Sequence, residues 1–455
     1  MPIGMFEVIN PSNEQVLREV AAHSEAETFE VITRASDAFS RWRKVAPGQR
    51  ANLLRAFADN VGRHIEELAL LEVANSGHTL TNARWEAGNV RDVLNYYAGS
   101  VERLTGKQIP VANGIDITFK EPIGVVGIIV PWNFPMPIAS WGFAPALAAG
   151  CTVVLKPAEA TPLTAMRIAE LAYEVGIPHD VFQVITGSGR VVGEALVHDD
   201  RVRKIVFTGS TEVGIHIQRA AAKQVKRVTL ELGGKSANIV FKDADLEKAA
   251  ASAPYAVFDN AGQDCCARSR ILVEKSAYDD FLNLFSDAVK KLRVKDPLSE
   301  DSEMGPLISA FHRESVASFV DESLVLFKGS APTGKGFWYP PTVLGGVNPG
   351  HRLFRDEVFG PVVTVTAFES ESEAISLAND SDYGLSGSIW TSNLGKAIRV
   401  AQGIESGNLS VNSNSSVRYS TPFGGYKRSG LGRELGPDAT DSFCEIKNVF
   451  INTEI

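Results

Sequence analysis

A chain of 455 residues is too long for one small core and predicts two or three domains. Apolar residues make up 44% and charged residues 22%, an ordinary balance for a water-soluble globular protein, and the formal net charge of -9 argues against a general nucleic-acid binder. No run reaches the ~18–20 apolar residues of a membrane span, and Met1–Glu7 lacks the basic segment and long apolar run of a signal peptide, so a cytoplasmic protein with no membrane partner is expected.

In chain order, Ser24-Glu25-Ala26-Glu27 reads as a capping box. Behind it Phe29, Ile32, Ala35, Phe39 and Trp42 recur at helical spacing, and helix-like sequence continues to about Asn75. These stripes predict core packing. From about residue 125 the texture changes to short β-rich runs: Val125–Val130, Thr152–Leu155, Val181–Ile185, Lys204–Phe207 and Arg227–Leu230. Helix-like segments such as Thr164–Tyr173 fall between several of them. That rhythm predicts βαβ units and a parallel sheet, which binds ligands beyond the C-terminal ends of its strands. Several runs end there in polar turns, including Pro131-Trp132-Asn133 and Thr208-Gly209-Ser210. A second alternating region runs from Ala237 to about Tyr426, with no Pro-, Gly- or Ser-rich linker before it. The domains should therefore share a wide interface with a cleft.

Two nucleotide motifs fail on inspection. Gly234-Lys235-Ser236 resembles the end of a phosphate-binding loop, but Thr229 stands where that loop needs glycine. Gly187–Gly193 is one residue too long for the dinucleotide fingerprint and reads as a turn before a helix. The four cysteines, Cys151, Cys265, Cys266 and Cys444, form no disulfide framework. No histidine lies near Cys265-Cys266 in the sequence, and no metal site is expected.

Three other sequences carry chemistry. Gly262-Gln263-Asp264-Cys265-Cys266 sets cysteine in a polar loop, Glu231-Leu232-Gly233-Gly234 sets a carboxylate at a strand end, and Pro131–Pro135 pins Asn133 between prolines. Each alone has a bland reading: a buried thiol, a surface charge, a rigid turn. Together with Lys156–Glu159, Phe207–Ser210, Glu357–Pro361 and Pro422–Gly432, in that order along the chain, they resemble the aldehyde dehydrogenase superfamily from about Phe6 onward.

The resemblance implies a division of labour. Cys265, rather than its neighbour Cys266, is the nucleophile, and Asn133 with the Cys265 backbone N–H stabilises the oxyanion. The thiohemiacetal loses hydride to a nicotinamide, and Glu231 activates water against the resulting thioester. A CoA-acylating relative usually lacks that carboxylate. A non-catalytic protein on the same fold is the rival from another class. Trp132, Lys156, Glu159, Ser210, Leu232, Glu357 and Phe359 are expected to hold the coenzyme, with NAD favoured over NADP because Glu159 would repel a 2′-phosphate. Phe134, Ile138, Trp141, Asp264, Cys266, Val417, Arg418 and Phe423 are expected around the substrate. Asp264 and Arg418 suggest a charged substrate, such as an amino- or γ-glutamylamino-aldehyde. Arg268, where relatives often have glycine, is expected at the surface.

The implied fold is α/β. A Rossmann-like parallel-sheet coenzyme domain spans 1–104 and 123–232, and an α/β catalytic domain spans 233–428. A small β oligomerisation element combines 105–122 with 429–455, its strand near Phe443–Asn452 pairing with another subunit in a homodimer or homotetramer.

Overall fold

The computed structural model describes residues 4–454; Met1–Ile3 and Ile455, which the sequence reading includes, lie outside them. The capping box forms: Ser24 caps the helix Glu25–Trp42, and its hydroxyl and the Glu27 carboxylate exchange bonds with each other's backbone N–H. The helix-like sequence to about Asn75 becomes Pro47–Arg63 and Ile65–Ser76, and a further helix, Leu80–Ala98, lies beyond the stretch that reads as helical.

Six strands build the first sheet, in the order Gly430–Leu431, Arg227–Glu231, Val202–Thr208, Val125–Ile129, Thr152–Lys156, Phe182–Val184. All neighbours are parallel except Gly430–Leu431, which runs antiparallel along Leu230-Glu231. Val125–Ile129 and Thr152–Lys156 are buried throughout, as strands covered on both faces must be. Val125–Ile129 starts the sheet, later strands add first on one side and then on the other, and the order reverses beside Val202–Thr208. Such a reversal opens a crevice at the strand ends.

The helix Pro135–Ala149 has no exposed residue. Its sequence is apolar on every side, so no face can meet water. Pro135 fixes its first turn, where a missing N–H costs nothing. Asn133 and Phe134 are thereby held where the strand Val125–Ile129 hands over to this helix.

The second sheet has seven strands, ordered Val325–Lys328, Thr342–Leu344, Val362–Phe368, Arg270–Glu274, Ala237–Val240, Ser386–Trp390, Asn408–Val411; only the first pairing is antiparallel. Cys265 lies just before Arg270–Glu274, and Glu357 just before its neighbour Val362–Phe368. The starts of these strands thus approach the ends of the first sheet's strands. A third sheet joins Gln108–Ile109, Gly114–Pro122 and Cys444–Asn452, antiparallel throughout. The segment from 429 does not go straight to that sheet, because it first borders the first sheet as Gly430–Leu431. Among the described residues, no helix is long and apolar enough to cross a membrane.

Candidate active site

Cys265 sits at a tight approach of three loops. Asn260, Ala261 and Gly262 adopt φ of 49°, 54° and 71°, three left-handed residues in succession. Two of them bear side chains and cost energy in this conformation, about 1–3 kcal/mol each. Gly262 has a second reason to be glycine: a Cβ there would lie 2.1 Å from the Gly360 carbonyl oxygen. On the other side, a Cβ on Gly234 would lie 2.2 Å from the Cys265 carbonyl oxygen. The glycines thus bring the Glu231 and Glu357 loops against the cysteine loop.

Side chains hold this junction. Asn260 Nδ2 donates to the carbonyls of Asn133 (2.9 Å) and Gln263 (3.2 Å). The buried Asn133 amide donates to Gln263 O at 3.0 Å, which uses one of its two N–H groups. Glu357 Oε1 accepts from Gly234 N at 2.8 Å, and burial pushes the Glu357 carboxyl up to about 7. The Cys265 thiol is raised above its ordinary value, first by its hydrogen bond with Cys266 and then by burial.

Two cavities meet at Cys265. One, of about 270 Å³, is lined by Trp132, Asn133, Thr208, Ser210, Leu232, Glu357 and Phe359 as well as Cys265. Phe359 is itself left-handed at φ 56° and meets Trp132 edge to face at 5.4 Å. Ser210 caps the helix Thr211–Ala222, its Oγ accepting from Val213 N at 3.4 Å. The exposed Glu159 lies in a further groove of about 500 Å³, which runs past Ile129 and Phe207, neighbouring strand ends at the reversal of the first sheet. The turn Gly189–Gly193 borders the same groove. Lys156 is buried under it, near Gly193, with Nζ donating to Pro157 O at 2.9 Å. Burial lowers the Lys156 ammonium, and Glu159 opposes that shift.

The second cavity, of about 140 Å³, lies on the other side of Cys265. Phe134, Ile138, Trp141, Asp264, Cys266, Val417 and Phe423 line it, as the sequence reading expects. Trp141 and Phe423 meet edge to face at 5.2 Å, and the buried His78, paired with Glu86, braces Phe134 from behind at 5.3 Å. Arg418 does not join them. It is exposed and lines an outer depression with Arg91 and Tyr419, which shares only Trp85 and Val417 with the inner cavity. Its expected place among the residues around the substrate is therefore corrected: the loop carries Val417 to the inner cavity and Arg418 only to the outer depression.

Arg268 is also corrected. It is 3% exposed, because four acceptors at the loop junction surround its guanidinium. Five lining residues were not among the expected site residues: Trp85, Pro137, Thr208, Asp259 and Glu434. Glu434 stands two residues beyond the matched stretch, so a longer reading of that motif reaches it. Trp85 and Asp259 carry no local signal. Glu231 and Glu434 are both buried in this cavity, and none of their four carboxylate oxygens has a hydrogen-bond partner among the described residues. Burial raises the Glu231 carboxyl well above its ordinary value, and Glu434 adds to the shift.

A thiol facing a buried carboxylate, at the meeting of two parallel sheets, defines an α/β enzyme with its site between domains. The aldehyde dehydrogenase family model matches residues 3–449, and the chain belongs to that family. An aldehyde dehydrogenase of Emericella nidulans is 41% identical over 98% of this chain and 91% of its own length. Betaine aldehyde dehydrogenase of Bacillus subtilis is 40% identical over 98% of this chain and 94% of its own. The solved structure of betaine aldehyde dehydrogenase from Staphylococcus aureus with NAD+ superposes with a TM-score of 0.96 at 39% identity, covering 99% of this chain and 92% of that one.

Proposed function

We propose that this enzyme oxidises an aldehyde carrying a positive charge to its carboxylic acid, with NAD as the hydride acceptor, through a thioester on Cys265. The observation that carries this reading is that Cys265 lines both cavities, one suited to a coenzyme and the other to a small organic substrate.

The coenzyme side fits NAD. The Thr208 hydroxyl, at the edge of the cavity, is buried without a hydrogen-bond partner among the described residues, and Ser210 opens a helix N-terminus beside it, a favourable place for a pyrophosphate. Trp132, Leu232, Glu357 and Phe359 would enclose the nicotinamide end. Lys156 and Glu159 would take the adenosine ribose, and the Glu159 carboxylate favours NAD over NADP. Bound NAD supplies the acceptor for hydride.

The chain's own residues supply the rest. Cys265 gives up its thiol proton to solvent and, as thiolate, adds through Sγ to the aldehyde carbon, while the second N–H of Asn133 Nδ2 meets the oxygen as it gains charge. A donor of this kind is worth about 3–4 kcal/mol of barrier. Once hydride has left, a thioester joins Cys265 to the acyl group. Glu231 accepts a proton from water as its oxygen attacks the acyl carbon. The C–S bond then breaks and the acid departs.

The substrate cavity favours a cation. Asp259 and Asp264 line it beside Trp85, Phe134, Trp141 and Phe423, and both carboxyls are raised, first by burial. An ammonium entering there relieves that burial cost and meets aromatic faces. Betaine aldehyde dehydrogenase of Bacillus subtilis and aminoaldehyde dehydrogenase 2 of Zea mays are among the relatives whose names agree with this class. For a γ-glutamylamino-aldehyde, Arg418 in the outer depression would take the distal carboxylate.

The third sheet supports a homodimer or homotetramer. Ile446 (73% exposed) and Phe450 project from one face of its outer strand, and Ile451, paired with Ile115, projects from the other face together with Phe119, so both faces of this sheet carry exposed apolar side chains.

The deciding experiment follows NADH formation with a panel of neutral, ω-amino, quaternary-ammonium and γ-glutamylated aldehydes, each with NAD and NADP, and Cys265→Ala as control. Turnover that favours the charged aldehydes and vanishes in the control is expected. Turnover that survives Cys265→Ala would refute the thioester route, and a preference for neutral aldehydes would refute the substrate class.

A further inference from the structure

We infer that Arg268 is a positioning residue that sets substrate selectivity by tying the nucleophile loop to the loop facing it across the substrate cavity. The inference rests on the reading of Cys265 as nucleophile and of the cavity beside it as the substrate site.

The Arg268 guanidinium braces its own loop and reaches two other pieces of chain. Nη1 donates to Cys266 O at 2.7 Å, on the nucleophile loop. Nη2 donates to Asn414 O at 3.0 Å and to Ser416 Oγ at 2.9 Å, on the loop that delivers Val417 to the cavity and Arg418 to its outer depression. Nε donates to Ser388 Oγ at 3.1 Å, in a central strand of the second sheet. The planar fork thus spans both cavity walls and anchors them to the sheet, a geometry a lysine cannot reproduce.

The energetics point the same way. Among the described residues, no carboxylate oxygen lies within 4.0 Å of this buried guanidinium, so no ion pair explains its burial. A buried charge of this kind is held by neutral acceptors, and here most of those are on the two loops. The Arg268 charge bears on the Asp264 carboxyl, and Asp264 Oδ1 is itself fixed by Cys266 N at 2.8 Å. Guanidinium, Cys266 backbone and Asp264 therefore move as one unit. The facing loop has other ties at its ends, Asn412 to Thr391 and Ser413 O to Ser410 Oγ. Between them, among the described residues, only Asn414 Nδ2 on Ser252, Ser416 Oγ beside Ser386 Oγ at 3.0 Å and the packing of Val417 join the Arg268 bonds in anchoring residues 414–417 to other parts of the chain.

The test compares Arg268→Met, Arg268→Lys and Ser416→Ala with the wild-type enzyme. Two readouts are used: backbone hydrogen exchange of residues 412–418, and KM and kcat for an ω-amino aldehyde and a short neutral aldehyde. Arg268→Met should speed exchange in 412–418 and raise KM for the ω-amino aldehyde by about tenfold, with KM for the neutral aldehyde changed by less than about threefold. Arg268→Lys should recover only part of that selectivity, and Ser416→Ala should move both readouts the same way by a smaller amount. Unchanged exchange, or equal loss with both aldehydes, would overturn the inference. If Arg268→Met fails to fold, Ser416→Ala decides alone: unchanged exchange there overturns it. A wild-type enzyme inactive on both aldehydes would refute the function proposed above, and exchange in 412–418 would then decide the role of Arg268 by itself.

Discussion

Glu231 and Glu434 share one buried wall of the substrate cavity, and neither carboxylate has a hydrogen-bond partner among the described residues. The backbone enforces this pairing. Phe423 and Glu434 exchange N–H···O bonds of 2.7 and 2.8 Å, and Gly430 pairs with Glu231 in register. Two carboxyls so placed cannot both ionise cheaply.

The first prediction concerns deacylation. Glu434 raises the Glu231 carboxyl, so removing its charge lets Glu231 ionise at lower pH. In Glu434→Gln, the rise of the single-turnover deacylation rate with pH should move to lower pH. The shift should be partial, because burial remains the larger cause. A profile moved to higher pH would refute the coupling.

Stability should respond to the same residue. Burial pushes the Glu434 carboxyl from 4.5 up to about 8 in the folded protein. The folded state therefore holds this proton more tightly than the unfolded chain does. Its contribution to stability is complete below pH 4.5 and is lost as the pH rises through about 8. The Tm of Glu434→Gln relative to wild type should increase across that window in calorimetric scans.

Asn133→Ala should lower kcat by roughly 10²–10³-fold, the usual cost of one lost oxyanion donor, with little change in coenzyme affinity. Stopped-flow measurement of acylation separates this from a folding defect, since coenzyme fluorescence titration should stay normal. An unchanged acylation rate would remove Asn133 from the chemistry.

Asp259→Asn and Asp264→Asn test the substrate class. Each should raise KM for an ω-amino aldehyde several-fold, by about 1 kcal/mol of binding, and leave a neutral aldehyde nearly unaffected. Equal effects on both substrates would mean that the two carboxylates only brace the loop.

Gly262→Ala should destabilise the fold by at least roughly 1–3 kcal/mol in denaturant melts, since it combines a left-handed backbone with a collision against the Gly360 carbonyl. Alkylation of Cys265 should also become less selective over Cys266 as the loop loses its shape.

Much of this molecule is readable from sequence where a local pattern has a local cause. The run Val125–Val130 returns as the strand Val125–Ile129, and Val362–Phe368 and Ser386–Trp390 return with unchanged ends. Ser24 caps its helix because its partner Glu27 is three residues away. The site residues that resist such reading owe their places to distant chain. An arginine in a polar loop reads as surface charge, and Arg268 is buried only because Ser388, Asn414 and Ser416 converge on it. Val417 and Arg418 are adjacent in sequence, yet Val417 reaches the inner cavity while Arg418 lines only the outer depression. Trp85 lies in the helix Leu80–Ala98, past the stretch that reads as helical, and is 52% exposed where it borders both the inner cavity and the outer depression.

The short antiparallel pairing of Gly430–Leu431 with Leu230-Glu231 ties the protein's two ambitions together. The same final stretch of chain first seals the flank of the strand that carries Glu231, then supplies Glu434 as a wall of the reaction chamber, and only afterwards becomes the outer strand Cys444–Asn452. A tail that looks like a handle for gripping another molecule is also the lid seam of the furnace. Only a cut made before Gly430 removes the outer strand together with Glu434 and uncovers the strand that carries Glu231.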